Sequence, residues 1–168
     1  MSPQVTICLT NPKSPTNVGG VLRAAGCFGA DQILYTGNRY NIAKKYSTDT
    51  QSVADHIEFQ HVDCFLETKP KDMPLICVDL VEGATPLPEF EHPDKAYYVF
   101  GPEDGSIKQS IIDQADHVIF MPTVGSLNLA ASVNVLLYDR NAKSPTLVAD
   151  DMLIKRSRDV NNRLKVAV

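Results

Sequence analysis

The sequence predicts an α/β protein: an open, mostly parallel sheet with helices on both faces. Short apolar runs recur along the chain, and segments of helical periodicity fall between them. Gly, Pro, Asn and Asp mark most of the junctions. The length of 168 residues suits a single domain over residues 1–168.

The strand candidates are QVTICL at 4–9, QILYT at 32–36, PLICVDL at 74–80, YYVF at 97–100 and HVIFM at 117–121. Most are nearly continuous apolar stretches, as strands covered on both faces require. The first helix candidate, 16–28, places Val18, Val21, Leu22 and Ala25 on one face. Thr16 or Asn17 is its expected cap, and Gly29 stands where a left-handed C-terminal cap belongs. A second helix, 106–115, opens on Ser106 with Gln109 three residues later, a capping-box pattern. The third, 126–139, is apolar on most sides and predicts a helix packed inside the protein, with Ser126 as its cap. The Pro-containing segments 84–94 and 141–146 read as loops.

Hydrophobic residues make up 43% and charged residues 21%, an ordinary globular composition. No apolar run approaches the roughly 20 residues needed to span a bilayer, and MSPQVTICLT lacks the basic start of a signal peptide. The expected location is therefore the cytoplasm, with no membrane partner. A net charge of −4 argues against a surface that grips nucleic acid everywhere. From Lys155 onward, however, Lys155, Arg156, Arg158, Arg163 and Lys165 face the single acid Asp159, so 155–168 forms a basic tail. Cys8, Cys27, Cys64 and Cys77 form no C-x-x-C pair, and His56, His61, His92 and His117 form no ligand spacing, so no metal is expected.

Three stretches carry chemistry. In residues 11–30, two prolines make a rigid turn before a helix bearing Asn17, Gly19, Gly20 and Arg23. Each glycine costs a helix about 1 kcal/mol relative to Ala, tolerable where a ligand or another helix comes close. In residues 97–116 a buried strand ends in Gly101-Pro102-Glu103 and Asp104-Gly105. In residues 117–140 another strand runs through Pro122-Thr123-Val124-Gly125 into Ser126-Leu127-Asn128. Ligands of open α/β sheets bind at the carboxyl ends of strands, where both loops fall. Neither loop is a dinucleotide or P-loop fingerprint.

Together the three stretches resemble the motifs of the SpoU-type (TrmH-like) branch of the SPOUT RNA methyltransferases. Pro15, Asn17, Gly19, Arg23, Phe28 and Gly29 are similar to the family's first motif. Gly101-Pro102-Glu103 with Gly105 resembles the second, and Ser126-Leu127-Asn128 through Tyr138-Asp139 the third. The chain departs from the usual Ile-Pro-Met before the third motif, having Val118-Ile119-Phe120 with Pro122 later.

The resemblance implies a C-terminal trefoil knot and a homodimer whose active site is shared across subunits. It also implies S-adenosyl-L-methionine (AdoMet) as methyl donor and a ribose 2′-hydroxyl of RNA, tRNA before rRNA, as acceptor. Carried onto this sequence, Arg23, Asn17, Glu103, Ser126 and Asn128 are the catalytic candidates. Asp79, Leu80, Gly101, Val118, Ile119, Ser126 and Leu127 are the donor-binding candidates. No separate RNA-binding domain is expected beside the methyltransferase domain. Two alternatives are a SPOUT enzyme acting on a base nitrogen and a catalytically silent RNA-binding protein of the same fold.

Overall fold

The computed structural model describes residues 4–45 and 57–167. Its strands are β1 (Val5–Leu9), β2 (Gln32–Tyr35), β3 (Glu58–His61), β4 (Leu75–Val78), β5 (Thr85–Pro86), β6 (Ala96–Phe100) and β7 (His117–Phe120). They form one seven-stranded sheet in the order β3-β2-β1-β6-β4-β7-β5. Every pairing is parallel. β6 lies in register with β1 from Val5–Ala96 to Leu9–Phe100 and with β4 from Leu75–Tyr97 to Val78–Phe100.

β1, β4 and β6 are buried at every residue, which explains their unbroken apolar runs. Alternate residues feed two cores. Ile7, Leu9, Ile33, Ile76 and Tyr98 pack under α1 (Pro15–Phe28) and α5 (Leu129–Ala142). Cys8, Leu34, Cys77, Tyr97 and Val99 pack on the opposite face with Phe65 and Ile107. Phe65 opens the short helix α3 (Phe65–Thr68). Cys8 and Cys77 are free thiols buried as core hydrophobes, and desolvation pushes Cys77 up to about 12.

Helix ends differ from the sequence expectation. Ser14, not Thr16 or Asn17, caps α1 by accepting from the Asn17 amide at 3.2 Å, because Pro15 occupies the first helical position. Gly29 closes the helix in the left-handed conformation (φ 72°). Asn128, not Ser126, caps α5, its Oδ1 accepting from the Ala131 amide at 2.8 Å. This also explains an Asn in what reads as a first turn.

The capping box at Ser106 does not form. α4 is only Gln109–Ile112, and the Ile107 amide donates to Asp79 Oδ2 at 2.9 Å while Gln109 Nε2 donates to Asp113. The segment 84–94 holds β5 and a 3-10 turn at Leu87–Glu89, and α5 runs on to Ala142. α5 buries Leu129, Val133, Leu136 and Leu137 but leaves Val135 42% and Tyr138 65% exposed, so it is not wrapped on all sides.

The packing of α1 on α5 accounts for one of the paired glycines. A Cβ on Gly20 would come within 2.8 Å of the Ala130 Cβ, whereas a Cβ on Gly19 would meet nothing within 4 Å among the described residues.

The far end of α5 is bolted to the segment before β6. His92 Nε2 lies 2.9 Å from Asp139, and its Nδ1 lies 2.6 Å from the Tyr98 hydroxyl. Arg140 donates to Tyr98 and to the carbonyls of Pro93 and Asp94, and Lys143 to those of Leu87 and Phe90.

The helices α2 (Arg39–Lys44) and α6 (Asp151–Ser157) complete the described structure. No helix of the described residues is long and apolar enough to cross a membrane, and no group of three or more potential metal ligands occurs among them. His56 lies outside the described residues.

Candidate functional site

β4, β6 and β7 end side by side, and the segments that leave them enclose a cleft of 240 Å³. Val78, Asp79 and Leu80 line it from the end of β4, and Phe100 to Glu103 with Gly105 from the end of β6. Met121, Thr123 and Gly125 through Leu129 follow from β7, with Asn17 and Ser132 contributed by α1 and α5.

Parallel strands place all their carboxyl ends at one edge, so three loops distant in sequence converge there. Gly101 leaves this junction room. A Cβ there would lie 3.2 Å from the Ile107 amide nitrogen and 3.3 Å from Asp79 Oδ2. Asp79 holds both loops, accepting from the Ile107 amide through Oδ2 and from the Leu80 amide through Oδ1 at 2.8 Å. In the third loop, the Thr123 hydroxyl donates to the Gly125 carbonyl at 2.7 Å.

Glu103 ties the loop after β6 to the start of α1. Its Oε1 accepts from Asn17 Nδ2 at 2.8 Å and from the Ser14 amide at 3.4 Å, and its Oε2 accepts from the Lys13 amide at 2.8 Å. A carboxylate at a helix N-terminus faces the positive end of the helix dipole and its unpaired amides. Glu103 therefore serves α1, not the first turn of α4.

Asn17, Glu103, Ser126 and Asn128 of the catalytic candidates meet in the cleft, as do Asp79, Leu80, Gly101 and Leu127 of the donor-binding set. Asn128 commits its Oδ1 to the helix cap. Three candidates lie elsewhere. Ile119 is fully buried in the first core, and Val118 packs against the second, because both sit inside β7 and not at its end. Met121 and Thr123 occupy the cleft in their place. Arg23 is exposed on α1 and does not line the cleft of its own chain. Met121 and Thr123 were not foreseen as site residues. Met121 closes the apolar run 117–121 and Thr123 follows Pro122, and that strand-end position was the available signal.

The pattern of the SpoU rRNA Methylase family matches residues 4–138. A tRNA (guanosine(18)-2′-O)-methyltransferase of Escherichia coli K12 is 22% identical over 143 residues, covering 82% of this chain. The chain spans 62% of that relative's length. A solved structure described as giving insight into 2-OH methylation of C/U34 on tRNA superposes with a TM-score of 0.69 at 21% identity, covering 85% of this chain and 92% of the other. The SpoU methyltransferase AviRb of Streptomyces viridochromogenes, in complex with AdoMet, superposes with a TM-score of 0.67 at 18% identity, covering 83% and 58%.

Proposed function

Because the chain belongs to the SpoU rRNA methylase family, we propose that it transfers a methyl group from AdoMet to a ribose 2′-hydroxyl of RNA, with tRNA as substrate. The observation that carries this reading is the convergence of Asn17, Gly101 with Glu103, and Ser126-Leu127-Asn128 on one cleft. The E. coli relative and the C/U34 structure, both named for tRNA 2′-O-methylation, support the choice of acceptor.

The lining residues fit the donor. Leu80, Met121 and Leu127 offer apolar surface for an adenine, and the strand-end backbone around Asp79, Gly101 and Ser126 offers amides and carbonyls to a ribose and an amino acid. Bound there, the donor supplies a methyl on a positive sulfonium. The chain's task is to hold a hydroxyl in line with it, and such positioning is worth up to roughly 7–11 kcal/mol in well-aligned reactions.

Arg23 serves as a cation and hydrogen-bond donor, not as a base, because a guanidinium has no acceptor nitrogen to offer. Its fork pairs with an RNA phosphate and with the developing alkoxide, while phosphate or water takes the hydroxyl proton. Asn17, held by Glu103, orients the ribose. Ser126 and Asn128 shape the third loop.

The exposure of Arg23 outside its own cleft supports a homodimer in which it reaches the cleft of a second subunit. The exposed Val135 and Tyr138 of α5 supply apolar surface for that contact. A trefoil knot in the chain's last third belongs to the same reading, and the interleaved order β1-β6-β4-β7 supports it. We assign the described chain to one catalytic domain. The basic tail is a phosphate-binding arm, with Lys155, Arg156, Arg163 and Lys165 all exposed. The tRNA-modifying relatives support a cytoplasmic location for the reaction.

The test is methyl transfer from labelled AdoMet to unmodified total tRNA and rRNA, followed by nucleoside mass spectrometry. A new 2′-O-methylnucleoside that is lost with Arg23→Ala is the expected result. A methyl on a base nitrogen overturns the acceptor. No incorporation together with no AdoMet binding overturns the enzymatic reading.

A further inference from the structure

Arg39, the first residue of α2, links the turn between β1 and α1 to the loop after β6 without lining the cleft itself. Its Nε and Nη2 donate to the Asn11 carbonyl at 3.0 and 2.6 Å. Its Nη1 donates to both carboxylate oxygens of Asp104, at 3.0 and 2.8 Å. Asn11 begins the turn between β1 and α1, and Asp104 lies in the loop after β6, next to Glu103.

The Asn11 turn needs an external hold. Asn11 is the one non-glycine among the described residues with positive φ (41°), and its Oδ1 is buried without a hydrogen-bond partner. Asn enters the positive-φ region more readily than other non-glycine residues, and neighbouring groups offset the remaining cost. Three groups do so: the Thr36 hydroxyl oxygen accepts from the Asn11 amide at 3.2 Å, Arg39 binds the Asn11 carbonyl, and Glu103 binds the next turn of chain.

We propose that Arg39 is a positioning residue for methyl transfer: by bridging Asn11 and Asp104 it fixes the entry of α1, and with it Asn17 and Arg23, relative to the loop that carries Glu103. The inference rests on the proposed methyltransferase reading. Arg39 acts through these loops: each of its three guanidinium nitrogens donates to the Asn11 carbonyl or the Asp104 carboxylate. The neighbouring Lys13–Asp104 pair, 3.9 Å apart and exposed on both sides, is too loose to substitute. Asp104 is held below the usual carboxylate range, chiefly by its hydrogen bond from Arg39, so the bridge stays ionic at neutral pH.

The experiment compares the whole protein with Arg39→Ala, Arg39→Lys and Asp104→Asn. Steady-state methyl transfer to tRNA, AdoMet affinity by calorimetry and amide exchange at Lys13 and Ser14 are measured for each. Arg39→Ala is expected to lower kcat roughly 10- to 100-fold, the scale of a small misplacement of reacting groups. KM for tRNA and the AdoMet Kd should stay within about threefold, and exchange at Lys13 and Ser14 should accelerate. Arg39→Lys, which keeps the charge but not the fork, should restore part of kcat. Asp104→Asn alters an exposed side chain and serves if Arg39→Ala does not fold; a smaller fall in kcat and faster exchange are expected.

A raised KM with unchanged kcat, and a salt slope of RNA binding smaller by about one, would make Arg39 a phosphate ligand and overturn the proposal. Unchanged kcat and exchange in the folded variants overturn it as well. Absence of methyl transfer by the unaltered protein defeats the methyltransferase reading instead, and the exchange measurement still decides whether Arg39 holds the turn.

Discussion

Asn17 donates through Nδ2 to Glu103 at 2.8 Å across 86 residues of sequence, joining the first turn of α1 to the loop after β6. The same carboxylate accepts from the backbone amides of Lys13 and Ser14. Glu103→Ala should therefore loosen both segments, costing about 1–2 kcal/mol of stability and tenfold or more in methyl-transfer turnover. Glu103→Gln keeps the shape but turns one oxygen into a donor facing other donors, so it should fall between. Urea midpoints and turnover measured side by side check this; a Glu103→Ala enzyme with normal turnover would refute the role.

Arg23→Lys separates charge from geometry. A lysine retains the positive charge and loses the planar fork that pairs with two oxygens at once. Turnover should drop by at least tenfold with AdoMet affinity unchanged. Near-normal turnover would show that charge alone suffices at this position.

Gly19 and Gly20 should respond in opposite directions to alanine. At Gly19 nothing among the described residues lies within 4 Å of an added methyl, and removing a helix glycine stabilises by about 0.5–1 kcal/mol. At Gly20 the same gain is outweighed by a 2.8 Å approach to the Ala130 Cβ, because overpacking costs about 1–3 kcal/mol. Thermal melts of the two variants should bracket the unaltered protein, and a stabilised Gly20→Ala would mean that α1 and α5 separate more easily than their packing indicates.

His92 should make stability depend on pH. Burial holds its imidazole below the ordinary value near 6.5, against the pull of Asp139 and with Arg140 and Lys143 adding repulsion. The neutral ring suits its partners: Nε2–H donates to Asp139 while Nδ1 accepts from Tyr98, whose hydroxyl oxygen accepts from Arg140. As pH falls below about 6.5, the unfolded chain binds the proton first. Stability from this residue is therefore complete above that pH and declines below it until the folded ring also protonates. Denaturant midpoints between pH 5 and 8 should show this slope, and His92→Gln should flatten it. An identical slope in the variant would assign the effect to other groups.

The elements legible in the sequence were those whose burial is uniform. β1, β4 and β6 are covered on both faces, and their apolar runs say so directly. β3 (EFQH) is an edge strand with little buried surface, so its residues carry no such pattern. α2 and α3 are too short for helical periodicity to develop.

At the cleft, Asn17, Gly101, Glu103 and Leu127 could be named because loop chemistry and family resemblance coincide there. Val118 and Ile119 do not line the cleft, because β7 runs from His117 to Phe120 and holds both inside the strand. The two helix caps were displaced for a local reason: Ser14-Pro15 and Asn128 compete with nearby polar residues of equal capping ability. Arg39 had no sequence signal, because its partners Asn11 and Asp104 are distant along the chain and meet only once the sheet has formed.

The placing of β6 has a consequence for biosynthesis. This strand occupies the middle of the sheet, between β1 and β4, yet leaves the ribosome after both. At roughly 5–20 residues per second, β4 waits about one to four seconds for the end of β6. Until then β1 and β4 each expose an unpaired apolar edge. The nascent chain therefore holds β1, β2 and β3 as a partial sheet and β4 with neither of its partners, since β7 emerges later still. Chaperone demand and arrest-peptide force should concentrate in that interval, before the loop that carries Glu103 has emerged.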